Sequence, residues 1–295
     1  MKKIFFLSIL GIGFWMQAQA QETKATVDNL AAYTTKDTLD GWHTSGLVGV
    51  TFGQTSLTNW VAGGDNTVSG DFMLNLTANY LKGKWFCDNS LAVEYGLLYA
   101  SSNDYWQKAA DKLNLVSVGG REISKKWSAA ALLDFNTQIA KGYNYPDREH
   151  YISTGMAPGY LNLALGFTYK PDKNYTFFLS PIAERLLFVL DDSLSATGAF
   201  GIDPGKKIRF ETGAYLMVST KQTLAGNLSL ISNVNFFTPY NKDFGHIDVN
   251  WDLLLSWKLN KLLTATVNTT VRYYEKEIQR VQFKEIFGLG LTYKF

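Results

Sequence analysis

The side chains that could act as a general base are few, because the chain has three histidines. His43 and Ser45 lie two residues apart, so they would share one face of a strand, as a serine nucleophile and its base require. The sequence identifies no acid beside them. His150 lies in a long charged link and His246 precedes a strand, which are ordinary surface positions. We therefore expect no enzyme, and a lipid-acting enzyme is the distant alternative.

Other chemistry-bearing motifs are missing from the sequence. It contains no phosphate-binding loop and no His-Glu-x-x-His, Cys-x-x-Cys or Gly-x-Ser-x-Gly motif. Cys87 is the single cysteine, so no disulfide can form within the chain. Side chains with the spacing of metal ligands are not found either. The sequence thus predicts no metal and no cofactor.

The first twenty residues have the order of a secretory signal. Lys2 and Lys3 precede an apolar stretch over residues 4–16, and Ala18-Gln19-Ala20 supplies small residues for cleavage. We predict a signal peptide over residues 1–20. Residues 21–40 are polar and are assigned to a periplasmic N-terminal tail, with a small insert in the lumen as the alternative.

Charge excludes nucleic acid as a partner. The chain has 28 Lys and Arg against 26 Asp and Glu, and loss of Lys2 and Lys3 with the signal leaves the two signs equal. Binding to a phosphate backbone depends on an excess of positive charge. The mature chain is formally neutral and lacks that excess.

From Trp42 onward the dominant pattern is alternation of apolar and polar residues with period two. The clearest example is an unbroken apolar face near the end of the chain: Ile247, Val249, Trp251, Leu253, Leu255, Trp257 and Leu259. A helix would scatter these residues around its circumference, because its period is 3.6. The alternation therefore predicts strands with one apolar face.

About twelve strands fit this pattern, joined by links that alternate between short and long. The tight turns are predicted at Lys82-Gly83, Ser124-Lys125, Pro171-Asp172-Lys173, Lys221-Gln222 and Asn260-Lys261. Short turns at one end and longer loops at the other are typical of outer-membrane barrels. The predicted fold is all-β: a single up-and-down antiparallel transmembrane β-barrel over residues 41–295.

A soluble barrel or sandwich would alternate too, so other features must decide. Half of the predicted strands run to about 14 residues, longer than is usual in globular sheets. Tryptophans cluster toward strand ends, where aromatic girdles meet lipid headgroups. They are Trp42, Trp60, Trp85, Trp106, Trp127, Trp251 and Trp257. These features favour a barrel in the outer membrane.

The final strand closes on a phenylalanine. It alternates apolar residues with small or polar ones, and the apolar members are Phe287, Leu289, Leu291, Tyr293 and Phe295. Such an ending resembles the signal that the outer-membrane barrel assembly machinery recognises in its substrates. We therefore expect that machinery and outer-membrane lipid as partners, and a monomeric barrel.

Several short segments resemble one protein family. They are residues 56–66 (SLTNWVAGGDN), 135–138 (FNTQ), 157–160 (APGY), 179–181 (LSP) and 198–201 (GAFG). The chain is similar through them to outer-membrane proteins of the Bacteroidetes, catalogued as domain of unknown function 3078. The Trp-Val-Ala-Gly-Gly piece is the most specific. The resemblance implies an envelope location and no activity, since the family has none assigned.

Charged residues of mixed sign are predicted to face the lumen. The alternation along each strand places the following charged residues on the inward face: Asp71, Glu94, Asp134, Arg209, Glu211, Asp248, Asp252, Lys258 and Arg272. For Arg185 the parity is ambiguous, because a bulge is expected at Pro181. The set either forms a selectivity lining that favours cations or polar solutes, or braces the interior through paired charges. We favour bracing for these side chains.

One long link is the best candidate for a specific ligand site. It carries Asn59, Trp60, Gly63, Gly64 and Asp65. The paired glycines allow unusual backbone conformations, and Trp60 offers a flat surface for a sugar or lipid. The alternative is that Trp60 caps the barrel mouth without binding anything. The link over residues 141–153, with three tyrosines, has the same ambiguity.

The sequence as a whole indicates a narrow passive channel for small polar solutes. A barrel of about twelve strands lies between eight-stranded barrels filled by side chains and open porins of 16 to 18 strands. The alternative is a structural or surface-interaction barrel without conductance.

Overall fold

The computed structural model describes residues 40–58, 65–172, 174–240, 245–259, 263–276, 278–291 and 293–294. The predicted signal peptide and nearly all of the predicted tail lie outside these residues. Strands dominate the described chain, as the period-two alternation predicts. No helix within these ranges is long and apolar enough to cross a membrane.

The chain forms one large sheet and one small hairpin. The strands are β1 (Gly41–Thr55), β2 (Thr67–Lys82), β3 (Trp85–Ala100), β4 (Tyr105–Glu122), β5 (Trp127–Thr137), β6 (Gly142–Tyr143), β7 (Tyr151–Ser153), β8 (Gly159–Tyr169), β9 (Tyr175–Phe188), β10 (Ile208–Ala225), β11 (Leu228–Pro239), β12 (Asp248–Lys258), β13 (Leu263–Tyr274), β14 (Ile278–Leu291) and β15 (Tyr293–Lys294). A short helix α1 (Asp192–Ala196) and a 3₁₀ turn (Ala199–Gly201) lie between β9 and β10.

The large sheet closes on itself. Each long strand pairs antiparallel with the long strands next to it in the chain, from β1 to β14. The ring is completed where β15 pairs with β1, through Leu47 opposite Lys294 and Val48 opposite Tyr293. The sheet has thirteen strands within the described residues, against about twelve expected, because the two-residue β15 is separated from β14. The all-β, up-and-down barrel is confirmed.

The links alternate between the two ends of the barrel. At one end β2 and β3 are joined by a two-residue turn in which Gly83 has a φ of +57°, a conformation glycine adopts without steric cost. At the other end, residues 138–158 and 189–207 form long links. One predicted turn is wrong: β10 continues through Lys221-Gln222 and turns at 226–227. There Gly226-Asn227 provides better turn chemistry.

The inner and outer faces are distinguished by contacts between strands that are not neighbours. The guanidinium of Arg185 on β9 lies 2.6 Å from the carboxylate of Asp248 on β12, three strands away in the sheet. Only side chains that point into the ring can make a contact between strands this far apart. Along β10 the inward residues are buried, and they are Glu211, Gly213, Tyr215, Met217 and Ser219. Phe210 before Glu211 and Thr212 after it are exposed on the outside.

The outer face is apolar and bordered by aromatic residues. Leu165 is 63% exposed and Ile182 also 63%, although both are large and apolar. Trp42, Trp85, Trp127 and Trp257 lie at the short-turn ends of their strands and are exposed. Tyr99 and Trp106 pack against each other at the long-link end, with ring centroids 5.5 Å apart.

The spacing of these belts matches a bilayer. At about 3.3 Å per residue and a tilt of about 45°, the stretch from Trp85 to Tyr99 spans roughly 33 Å along the membrane normal. The hydrocarbon core of a bilayer is about 30 Å thick. Closed barrels with an apolar exterior and aromatic girdles span the outer membrane, so the outer-membrane location expected from the sequence agrees with this wall.

Part of the interior is filled by apolar side chains. Phe178 is 1% exposed and packs in a cluster with residues from β4, β5, β8, β10 and β11. Its members are Val118, Ala130, Leu132, Ala164, Phe178, Ala183, Tyr215, Met217 and Phe237. We call this set the interior apolar cluster. It occupies the barrel on the side of β4 to β11.

Replacing Leu165 by arginine tests which face meets lipid. The side chain lies near the middle of β8 on the outside, so Leu165→Arg should lower the free energy of unfolding in a bilayer by about 2–4 kcal/mol. Leu224→Arg, one residue from the end of β10, should cost about 1 kcal/mol or less. Urea titration of the protein in vesicles measures both. Equal small costs would contradict the assignment of the faces.

Candidate functional site

A chain of hydrogen-bonded polar side chains crosses the inner wall. Asn114 Nδ2 donates to Asp134 Oδ1 at 2.9 Å, and Asn162 Nδ2 donates to Asp134 Oδ2 at 3.3 Å. Arg185 Nε in turn donates to Asn162 Oδ1 at 3.3 Å, while its Nη1 donates to Asp248 Oδ2. We call these five residues the interior polar chain. It joins β4, β5, β8, β9 and β12.

Arg185 is held by aromatic rings as well as by its acid. Its guanidinium carbon lies 4.0 Å from the ring centroid of Phe237 and 5.6 Å from that of Tyr274. Asp248 also accepts a hydrogen bond from the backbone N–H of Glu275 at 3.0 Å. The side chains of Arg185 and Asp248 are 13% and 16% exposed, so solvent screens the pair weakly.

A second charged group lies near the long-link end. The Glu211 carboxylate is 2.7 Å from the Lys276 ammonium and 3.5 Å from Arg209 Nε. Arg209 also donates to the backbone oxygen of Gly201. Because Lys276 and Gly201 belong to two different links, these contacts tie both links to the inner wall at Glu211. We call Arg209, Glu211 and Lys276 the Glu211 group.

The other acids and bases predicted to face the lumen occupy different surroundings. Asp71 and Glu94 lie on adjoining strands and are buried. Asp252 accepts a hydrogen bond from Asn250, whose amide oxygen accepts another from Arg272. Lys258 and Arg272 are exposed, near opposite ends of β12 and β13.

The link between β9 and β10, residues 189–207, folds into the long-link end of the barrel. Its Leu194 and Ile202 are buried in a cluster with Leu187 of β9, against which Tyr160 also packs. Asp191 caps α1 by accepting from the backbone N–H groups of Ser193 and Leu194. The Tyr151 hydroxyl donates to Asp191 at 2.9 Å and joins the neighbouring hairpin to this link.

The ligand-site candidate is described only at its end. Asn59, Trp60, Gly63 and Gly64 lie outside the described residues. Asp65 accepts hydrogen bonds from the Ser101 hydroxyl and from the backbone N–H of Ser102, which lower the pKa of its carboxyl. Those bonds connect the first long link to the turn between β3 and β4.

The tyrosine-rich link is organised by ring contacts. The Tyr145 ring packs at a tilt against the rings of Tyr105 and Tyr143, with centroid distances of 5.8 Å and 6.0 Å. Arg148 lies over Tyr105 at 4.4 Å. His150 Nδ1 is 3.0 Å from Asp147 Oδ2 on an exposed surface, and backbone N–H groups lower the pKa of that aspartate.

The candidate serine of the sequence has another neighbour. Ser45 Oγ lies 2.6 Å from Thr77 Oγ1 on the adjacent strand. At the other end of the chain, Phe287, Leu289 and Leu291 belong to β14 and Tyr293 to β15, whereas Phe295 lies outside the described residues. Among the described residues, no three His, Cys, Asp or Glu side chains gather where they could hold a metal ion.

Sequence reasoning missed several members of the two charged groups. Asn114 and Asn162 are uncharged, and partners on other strands carry no sequence signal. The alternation does not decide which face Arg185 occupies, because a bulge is expected at Pro181. The structure has a register shift there in both pairings of β9, at residues 213–215 of β10 and 165–167 of β8. Lys276 lies in a link, where alternation does not apply.

Part of the chain matches a known family. Residues 52–143 match the family described as "Protein of unknown function (DUF3078)". Two of the five resembling segments, at 56–66 and 135–138, fall inside this range. No curated relative matches the chain.

Several solved structures have a similar fold. An outer-membrane channel from Pseudomonas putida F1 is similar over 89% of this chain and 97% of its own, at 15% identity and a TM-score of 0.44. The translocator domain of the autotransporter NalP from Neisseria meningitidis is similar over 94% of this chain and 95% of its own, at 12% identity and a TM-score of 0.39. The porin NanC is similar over 84% of this chain and 98% of its own, at 7% identity and a TM-score of 0.41. At these values no residue role passes to this chain.

Breaking the pair at Arg185 should be more damaging than removing it. Arg185→Ala leaves the Asp248 carboxylate without its cation, so the free energy of unfolding should fall by about 3–5 kcal/mol. The double variant Arg185→Met, Asp248→Leu removes both charges and should recover most of that loss. Urea unfolding followed by tryptophan fluorescence measures both. Arg148→Ala, on the surface, is the control, and an equal loss in single and double variants would contradict the pairing.

The cap of α1 makes the β9–β10 link sensitive to acid. Hydrogen bonds from the Ser193 hydroxyl and the Leu194 N–H hold the pKa of Asp191 below its ordinary value of 3.8. A lowered folded pKa means that the stabilisation is complete above 3.8 and is lost as the pH falls through the folded value. Amide exchange at Ser193 and Leu194, corrected for intrinsic rates, should therefore rise as the pH falls below 3.8. Asp191→Asn should abolish this pH dependence.

Proposed function

We propose that this chain is an outer-membrane barrel of the Bacteroidetes type that its sequence resembles, and that it is a narrow passive channel for small polar solutes. One observation carries the proposal. The part of the interior that solvent reaches is lined by polar and charged side chains.

The part of the interior that solvent reaches lies beside β12 and β13. On β9, β10 and β11 most inward side chains are buried, among them Phe178, Tyr215 and Phe237. On β12 the inward side chains are at least partly exposed where the structure describes them, and they are Asp248, Asn250, Asp252, Ser256 and Lys258. Ser45 on β1 and Arg272 on β13 are exposed as well. The interior apolar cluster thus confines water to one side.

The charges on this side are mixed in sign. Asp252 and Lys258 are both on β12, and Arg272 contacts Asn250 across from β13. A mixed wall stabilises hydrated polar solutes without rejecting either sign of charge strongly. The predicted lumen residues Asp71, Glu94, Asp134, Arg209 and Glu211 serve as bracing in this proposal. Asp71, Glu94 and Glu211 are buried, and Asp134 and Arg209 are half-buried and held by hydrogen bonds, so these side chains are kept back from a passing solute.

A barrel without conductance is the second candidate function. It is favoured by the two fillings of the interior, the apolar cluster on one side and the β9–β10 link with its buried Leu194 and Ile202. In that case the long links would form an interaction surface, which includes the packed rings of Tyr105, Tyr143 and Tyr145. Conductance distinguishes the two functions.

Cysteine blocking in planar bilayers tests the channel. In a chain with Cys87→Ser, Ser256→Cys places a thiol on the inward face of β12, and Ser232→Cys places one on the outward face of β11, where Ser232 bonds to Trp251. A charged thiol reagent should reduce the current of the Ser256→Cys protein by about half or more, because the modified side chain narrows the path. The Ser232→Cys protein should be unaffected.

Two results would reject the proposal. The first is a wild-type protein that is folded, as shown by its heat-dependent mobility on a gel, and gives no current steps at any voltage. The second is equal blocking at both positions, which would place the current outside the described path. The first result would favour the barrel without conductance.

A further inference from the structure

The outer wall carries a carboxylate that the channel does not use. Glu184 on β9 stands opposite Leu163 on β8 and Thr212 on β10. Its chain neighbours Ala183 and Arg185 face inward, because Ala183 is buried in the interior apolar cluster and Arg185 donates to Asp248. Alternation therefore turns Glu184 outward. An ionisable group on a lipid-facing surface is costly and marks a functional site by default.

Glu184 belongs to a row of polar groups across three neighbouring strands. The Thr212 hydroxyl donates to Glu184 Oε2 at 2.6 Å. The backbone N–H of Tyr240 donates to the Thr212 carbonyl at 2.8 Å, and the Tyr240 hydroxyl donates to the Pro181 carbonyl at 2.6 Å. We call Glu184, Thr212 and Tyr240 the outer-wall row. Both of its hydroxyl protons are engaged, whereas the carboxylate keeps acceptor capacity.

The bulge at Pro181 explains why the row exists. Pro181 and Ile182 lie where the pairing of β9 with β10 shifts register, between Gly213 and Tyr215. A bulge leaves a backbone group outside the ladder, and in hydrocarbon such a group needs another partner. The Tyr240 hydroxyl supplies it at the Pro181 carbonyl. This contact brings Tyr240 over the wall beside Glu184.

The surroundings suit an amphiphile that lies along the outer wall. Exposed Leu165 and Ile182 continue the wall toward the barrel middle, and exposed Phe210 and Tyr240 supply aromatic rings near the long-link end. Glu184 is four residues from the end of β9, roughly 9 Å along the membrane normal. Apolar chains can lie on the wall while a polar head meets the carboxylate.

We propose that the outer-wall row binds an amphiphile whose headgroup carries a primary ammonium group. One carboxylate beside neutral hydroxyls and an aromatic ring complements a single positive charge with N–H donors. A divalent cation takes six or more oxygen ligands, and Glu184 is not part of a group of acids within the described chain. The site rests on the membrane assignment and does not depend on conduction.

The test compares two lipids that differ in their N–H groups. Purified barrel is reconstituted with phosphatidylethanolamine or phosphatidylcholine of identical acyl chains, in the presence of EDTA, and retained lipid is counted by native mass spectrometry. The wild-type chain should retain phosphatidylethanolamine over phosphatidylcholine by roughly fivefold, the effect expected of an ion pair at the membrane surface. Glu184→Gln should abolish the preference. Glu149→Gln, an exposed acid on a long link, should keep it.

The wild-type comparison needs no variant, so a folding defect cannot decide the outcome. Equal retention of the two lipids by the wild-type chain would overturn the proposal, as would a preference that survives in Glu184→Gln. A preference seen only without EDTA would overturn it too, because a bridging divalent cation would then be responsible. Glu184→Gln should leave the single-channel current unchanged, so failure here and failure of the channel are separate results.

Discussion

The pairing of β1 with β15 is the interaction on which the rest of the structure depends. Hydrocarbon offers no hydrogen bonds, so a sheet can cross a membrane only when every strand edge is paired. Leu47 opposite Lys294 and Val48 opposite Tyr293 join the first strand to the last and close the ring. Closure then separates two environments, lipid outside and an enclosed interior.

That separation explains the two kinds of charged group. Inside, Arg185 and Asp248 lie on strands separated by two others and meet because the curvature of the ring brings their side chains together. Buried charges need such partners, since an unpaired charge loses its hydration without compensation. Outside, Glu184 has only the Thr212 hydroxyl as a hydrogen-bond donor within the described chain. The inner charges organise the lumen, and the outer one is available to a ligand.

The interior is divided rather than uniformly polar. Phe178 and Tyr215 pack edge to face within the apolar cluster, at 6.2 Å between ring centroids, and fill the side of β4 to β11. Alternation requires only that one face be apolar enough for lipid, so the other face is free to be partly apolar. The channel that we propose follows this division, because its path would run on the polar side along β12 and β13.

The sequence by itself determined the strands, the alternation of short and long links, and the apolar exterior, because these depend on a period of two that is visible within each strand. It predicted one turn wrongly, at Lys221-Gln222, because β10 and β11 extend further and turn at Gly226-Asn227. Only the tertiary structure decided that Arg185 faces Asp248, that Lys276 meets Glu211 and that Glu184 points to lipid. Those contacts depend on ring closure and on the bulge at Pro181, which set distances between residues remote in the chain.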